Sequence, residues 1–380
     1  MDGLAAERSE SRAHLLLDLA RVCFWLLDNP NMRRHASAAL ALAEEAGRDD
    51  LAATALNWLA QAQKCEGHIH SSRGLYEQAL ARAGGATLPV FDGAPLVYYW
   101  TGQIDEAVAI SRQMLQTTHR LNDAATTMIT LPHLGLALAG CGRYAEAMST
   151  FAEARRFGRE VELPTLVARA IAFSTGLHLD VFDFAGAEAR ATEAYDLARS
   201  ANWPPSAVSA GIDLLFVFAR CREAGRYDGF VDQVAELAAA TADWHGWLWR
   251  HRLAEARAEM ALVCAAWDEA RRWASAVIEQ SRASGRVKYQ VLGLVTRAQA
   301  LSGLGRTKEA LADLQSAVAL ARPVGDPSLL LRAASPLLAL EGDDTLATFA
   351  RAEADRIADA LPDVDMRRHF EAAETVRRLR

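Results

Sequence analysis

Apolar positions in this chain recur on a helical period, and the helices they predict come in pairs. The clearest pair is LPHLGLALAGCGRYAEAMSTFAEARRFG, residues 131–158. An apolar helix ends near Gly142, a short turn follows, and a second helix begins near Tyr144 with Ala147, Phe151 and Ala154 on one face. Small residues at i and i+7 with a bulky one at i+4 let a neighbouring helix approach closely while the large side chain fills the gap beside it.

The same pattern returns along the chain, and a fixed period decides a fold before any single element does. GLGRTKEALADLQSAVALAR, EGHIHSSRGLYEQALARAG and WTGQIDEAVAISRQML carry it clearly. Weaker copies surround residues 36, 187, 230, 270 and 347. The equivalent positions are Ala36, Ser72, Ala107, Ala147, Ala187, Phe230, Ala270, Ala310 and Ala347, on steps of 35 to 43 residues, enough for two helices and two turns. This spacing predicts an all-α solenoid of about nine helix-turn-helix repeats over residues 13–48, 50–84, 87–122, 124–160, 165–201, 206–240, 247–284, 287–322 and 328–360, closed by a C-terminal helix over 364–380. Gly142, Gly225 and Gly305 are read as helix-ending residues, where the left-handed conformation costs glycine little.

The unit containing Leu134, Gly135, Leu138, Gly142, Tyr144, Ala147, Phe151 and Ala154 resembles the tetratricopeptide repeat family, whose packing residues have these spacings. That resemblance covers nearly the whole chain and implies a right-handed superhelix. The steps exceed the family's usual repeat of about 34 residues, and a proline is missing from most repeat ends. Repeats of this length, with LAEEAGRDD-type helix ends and the tail DRIADALPDVDMRRHFEAAETVRRL, also look like the C-terminal sensor arms of LuxR-type and cyclase-linked bacterial signalling ATPases. For such an arm the resemblance implies a site for an inducer or an inhibitory protein. The chain has no GxxxxGK[ST] phosphate loop, and no DNA-reading helix-turn-helix follows residue 340.

Composition sharpens this reading. Seventy-seven alanines against 11 prolines favour helix throughout the 380 residues. Only three of the 41 basic residues are lysine (Lys64, Lys288 and Lys308), which points to a high-GC bacterial genome. With a formal charge of −7, the chain has no general attraction to nucleic acid or anionic lipid, and neither is an expected partner. The acidic, polar start MDGLAAERSESR is unlike a signal peptide, and no segment has the roughly 18 apolar residues of a membrane helix. Cys23, Cys65, Cys141, Cys221 and Cys264 are odd in number and lie in apolar helical stretches, so unpaired thiols and a reducing cytoplasm are expected.

The chemistry-bearing residues point to binding rather than catalysis. GLGRTKEA has the wrong order for a phosphate loop, because the lysine does not directly follow the last glycine. Cys65, His68 and His70 are metal-competent but have no fourth ligand nearby. With no Gly-x-Ser-x-Gly elbow and no paired carboxylate motif, no enzyme activity and no cofactor are expected. Binding rests on two aromatic clusters. In ADWHGWLWRHR, residues 242–252, Trp244, Trp247 and His251 share a face if the segment is helical, with Arg250 and Arg252 beside them. Val97-Tyr98-Tyr99-Trp100 lies on the first helix of the third unit.

In the resembled family the first helix of each repeat lines the concave groove. By register the groove positions here include Trp25, Asn57, Gln61, Lys64, Tyr99, Trp100, Arg222, Glu255 and Glu259, and Asn57 with Lys64 resembles the pairing such proteins use to hold a peptide carboxylate. The expected ligand-binding residues are therefore Tyr99, Trp100, Arg222, Trp244, Trp247, Arg250, Asn57 and Lys64. They would hold a protein or peptide segment, or alternatively a small-molecule inducer if an aromatic pocket closes around Trp100, Trp244 or Trp247.

Overall fold

The protein is represented by a computed structural model that describes residues 2–83 and 93–379. Among the described residues there is no strand, and the helices pair as nine antiparallel hairpins. The first three are α1 (Asp2–Trp25) with α2 (Asn29–Glu45), α3 (Asp49–Glu66) with α4 (Ile69–Arg82), and α5 (Ala94–Trp100) with α6 (Ile104–Leu121). Next come α7 (Ala124–Gly140) with α8 (Tyr144–Glu160), α9 (Pro164–Asp180) with α10 (Phe184–Ser200), and α11 (Pro204–Arg220) with α12 (Ala224–Ala240). The last three are α13 (Gly246–Val263) with α14 (Trp267–Ser284), α15 (Val287–Gly303) with α16 (Thr307–Ala321), and α17 (Pro327–Leu340) with α18 (Asp344–Ala360). The sequence boundaries at 84 and 87, and residue 380, lie outside the described residues. The tail expected as one helix is two, α19 (Val364–Ala372) and α20 (Glu374–Arg377), separated by the extended Ala373.

Two layers follow from composition. The odd-numbered helices touch one another in succession and form the inner wall, while the even-numbered ones pack outside them. α11 and α12 are both 17 residues long, yet α11 is buried from Ser206 to Ala219, whereas Tyr227 and Val234 are the buried residues of α12. A helix apolar over most of its surface, such as α11, is stable only when covered on nearly every side, and an amphipathic one needs one covered stripe.

The second helices begin at Tyr144, Phe184 and Ala224, 40 residues apart. The small-residue position is the fourth of each second helix. It is Ser72, Ala107, Ala147, Ala187, Ala270 and Ala310, all fully buried, and Ala347, only half-buried beside the buried Leu346, but Met32 in α2 and Tyr227 in α12 replace the Ala36 and Phe230 expected from sequence. Ala36 lies four residues after Met32 and stays buried on the same face, whereas Phe230, three after Tyr227, is only half-buried at its edge.

The turns inside the first eight hairpins share one geometry regardless of residue type. Each carries a left-handed residue, glycine at 67, 102, 142 and 305 but Leu27, Phe182, Arg222 and Ala265 elsewhere. The following N–H closes on a carbonyl of the first helix in both kinds, Arg143 on Leu138 at 2.8 Å and Glu223 on Phe218 at 2.8 Å. Gly225, expected to end a helix, lies inside α12, and Arg222 holds the turn.

The solenoid winds tightly enough for successive superhelical turns to touch. Trp247 of the seventh hairpin donates its indole N–H to the Lys64 carbonyl of the second at 3.0 Å, and the His245 N–H reaches the Cys65 carbonyl at 3.3 Å. Gly102 rests on Val287 and Val324, and Gly142 on Pro327 and Arg356. At the last contact Arg332 donates to the Leu179 carbonyl at 2.5 Å, His369 meets Asp183 at 2.8 Å, and Phe182 stacks on Phe370. Repeat arrays usually make only nearest-neighbour contacts. This seam is an exception, and it turns an open groove into a chamber.

Candidate ligand-binding chamber

Inside the superhelix lies a cavity of about 190 Å³ walled by the first helices of consecutive hairpins. Its aromatic lining comes from Tyr99 and Trp100 of α5, Phe173 of α9, Trp203 and Phe216 around and on α11, Trp244 and Trp249 around and on α13, and Tyr289 of α15. Between these rings stand six cationic side chains, Lys64, Arg169, Arg220, Arg252, Arg286 and Lys288, against two carboxylates, Asp180 and Asp213. No single helix carries this set; it assembles because the same inner face is presented hairpin after hairpin.

Among the described residues, carboxylates pair with Arg252, Arg220 and Lys288. Arg252 pairs with Asp213 at 2.5 Å and donates to Ser209 Oγ at 2.8 Å. Arg220 bonds Glu259 through two nitrogens at 2.7 and 2.8 Å, and Lys288 meets Asp180 at 2.6 Å. Arg169 donates to His133 Nε2 at 2.7 Å. Arg286 differs. It is 8% exposed, its guanidinium centre lies 4.0 Å over the Tyr289 ring and 5.7 Å from that of Trp100, and among the described residues its Nε and Nη1 have no hydrogen-bond partner. Burial pushes its pKa down to about 10, still charged at neutral pH.

His245 marks where the positive field converges. Its pKa is held well below the usual histidine value, first by burial and then by Lys64, Arg169 and Arg286, so the ring is neutral. His251, stacked edge-on against Trp247, is pushed down to about 3, chiefly by burial. Burial also lowers His178, which lies 2.7 Å from Asp183. A histidine whose folded pKa lies below the unfolded value near 6.5 contributes full stability above that value and loses it as pH falls. Lowering the pH from 7.5 to 6.0 should therefore cost about 0.8 kcal/mol for each of His245 and His251, roughly 1.6 kcal/mol together, with His178 acting in the same direction. Urea midpoints at the two pH values check this; equal midpoints would show that these rings are protonated in the fold.

Of the residues expected from sequence, Lys64, Tyr99, Trp100 and Trp244 line the chamber together. Burial raises the Tyr99 phenol to about 12. Trp247 lies in the seam instead, its ring against Gly67 and 5.3 Å from that of Trp100. Asn57 is buried in α3 without lining the cavity, Arg222 sits exposed in its turn, and Arg250 is exposed on α13. Glu255 and Glu259 also lie behind the wall. Glu255 accepts from Thr296 at 2.6 Å, and burial together with Glu259 raises its pKa to about 8. The thiol Cys65 faces inward, 3.7 Å from His245 Nε2, whereas His68 turns out to Gln63, so the C-x-x-H-x-H residues do not converge. Among the described residues no group of three His, Cys, Asp or Glu could hold a metal. Cys221 and Cys264 are exposed rather than set in apolar surroundings.

Sequence reasoning missed Trp203 and Arg286. Both, like His245, stand directly before a first helix. A signal was present: aspartate caps that place at Asp123 and Asp326, as capping preference favours, and a bulky or cationic residue there gives up the cap.

No protein-family model matches the chain, and no curated protein matches it in sequence. Solved structures do. A Rap protein complexed with Competence and Sporulation Factor superposes with a TM-score of 0.64 at 11% identity, over 84% of this chain and 99% of that one. Yeast Tom70 aligns over 95% of this chain and 94% of its own at 14% identity, with a TM-score of 0.28. A circular tandem repeat protein of novel repeat topology aligns over 99% and 94% at 15% identity, with a TM-score of 0.26. The fold is thus a tetratricopeptide-like helical-repeat solenoid. Among the described residues no helix is long and apolar enough to cross a membrane.

Proposed function

We propose that the protein is a non-catalytic binding module, regulatory or scaffolding in role, that holds a short peptide or protein segment in its interior chamber. The observation that carries this reading is the segregation of charge. A chain with a formal charge of −7 lines its cavity, among the described residues, with six cations and two carboxylates set among aromatic rings. Charge depleted from one sign and concentrated in a concave aromatic site is what selects and orients an acidic partner. The Rap protein, of like fold, is solved in complex with Competence and Sporulation Factor, and this supports binding as the use of the scaffold.

A second reading, a small-molecule sensor arm of a bacterial regulatory system, is favoured by the seam, which closes the aromatic pocket around Trp100 and Trp244. Native mass spectrometry of protein purified from the cells that make it distinguishes the two by the mass of what is retained. Under either reading, Trp100→Ala or Trp244→Ala should weaken the recovered ligand by about 2 kcal/mol, roughly thirtyfold. Unchanged affinity in both variants would remove the chamber as the binding surface.

A further inference from the structure

Arg286 is an expensive residue as the molecule stands. A buried charge is tolerated when it is paired and hydrogen-bonded. Arg220, Arg252 and Lys288 on the same wall each have a carboxylate within 2.8 Å, but Arg286 has none among the described residues. After burial, the groups that act on it most strongly are the phenol of Tyr289, which also accepts from it, the guanidinium of Arg252 and the phenol of Tyr99. Its guanidinium is held between the rings of Tyr289 and Trp100, so it cannot swing to solvent without losing both contacts. Arg252 repels it rather than pairing with it, and Asp213 is already held by Arg252.

We infer that Arg286 is the anchor for a carboxylate carried on an apolar or aromatic body, which enters the chamber and supplies a counter-charge that none of the described residues provides. This rests on the chamber being the binding site. One uncompensated guanidinium matches a single negative charge, and its unpaired N–H donors match carboxylate oxygens as acceptors. Trp100 and Trp244, on the same cavity wall, offer rings for the apolar part. The carboxylate could belong to a chain terminus, an acidic side chain or a free organic acid, which present the same chemistry.

Matched acid and amide probes test this on the intact protein. N-Acetyltryptophan and its amide represent a chain terminus, and indole-3-acetate and indole-3-acetamide represent a free acid. An N-acetylated, C-amidated Trp-Glu dipeptide against its Trp-Gln counterpart represents a side chain. Wild type should bind the acid of at least one pair about tenfold or more tightly than the amide, the discrimination of one charge-assisted hydrogen bond, and the preferred pair identifies the source. Arg286→Gln should lose that preference and, relieved of an unpaired buried charge, melt no lower than wild type without ligand. Arg286→Lys should retain part of it. Acid and amide binding alike to wild type, or neither binding, overturns the anchor, as does Arg286→Gln keeping the preference. An uncharged native ligand still weakened by Trp100→Ala would leave the chamber standing and remove only the anchor.

Discussion

Replacing Trp247 with alanine is expected to lower the unfolding free energy by about 3–5 kcal/mol, the usual cost of truncating a buried tryptophan. The ring is 6% exposed and fills the space between Gly67 of the second hairpin and Trp100 of the third. Its indole N–H is the partner of the Lys64 carbonyl, which the substitution would leave behind a cavity. Because this contact joins hairpins 183 residues apart in sequence, its loss should also loosen the superhelical turn. Urea unfolding gives the energy, and small-angle scattering of the folded variant gives the opening as a larger radius of gyration. A loss below about 1 kcal/mol with unchanged dimensions would mean that the seam does not hold the turns together.

Asp213→Asn should cost a similar amount, about 3–5 kcal/mol, for a different reason. Asp213 and Arg252 are both buried, 2.5 Å apart, and the guanidinium also touches Ser209 and Tyr289. Removing one charge strands the other in a low-dielectric wall, whereas removing both is often neutral or stabilising. The double variant Asp213→Leu/Arg252→Met is therefore expected to unfold within about 1 kcal/mol of wild type. If the single variant were as stable as the double, Arg252 would have found water or another acceptor, and the pair would not be sealed from solvent.

The repeat architecture was legible because it is written locally. A buried small residue such as Ala147 or Ala310, four positions into a second helix, needs only its own turn of helix to be recognised. The register slipped at Met32 and Tyr227 because a large side chain occupies the place of a small one there. Four of the hairpin turns were invisible for a related reason: Leu27, Phe182, Arg222 and Ala265 adopt the left-handed conformation that sequence reading assigns to glycine. Such residues pay roughly 1–2 kcal/mol for it, and only the packed hairpins on either side, which no local pattern reveals, make that conformation worth holding.

The site was half legible. Tyr99 and Trp100 face inward because α5 is an inner helix, as the register required. In ADWHGWLWRHR the helical wheel began too early. α13 starts at Gly246, after a left-handed His245 with φ of 60°, so Trp244 leaves the helix to meet Phe24 and the chamber while Trp247 and His251 face the seam. Arg250 accordingly points outward. The seam itself depends on superhelical pitch, the sum of small rotations between hairpins, and so could not be read from any one repeat.

Hydrogen–deuterium exchange of the protein with its native ligand bound and then removed tests the central claim most directly, namely that the interior chamber is the binding surface. The predicted result is protection by ligand concentrated in α5, α11, α13 and the start of α15, with the outer helices α12, α14 and α16 unchanged. Protection confined to those outer helices, with none in the inner wall, would contradict it.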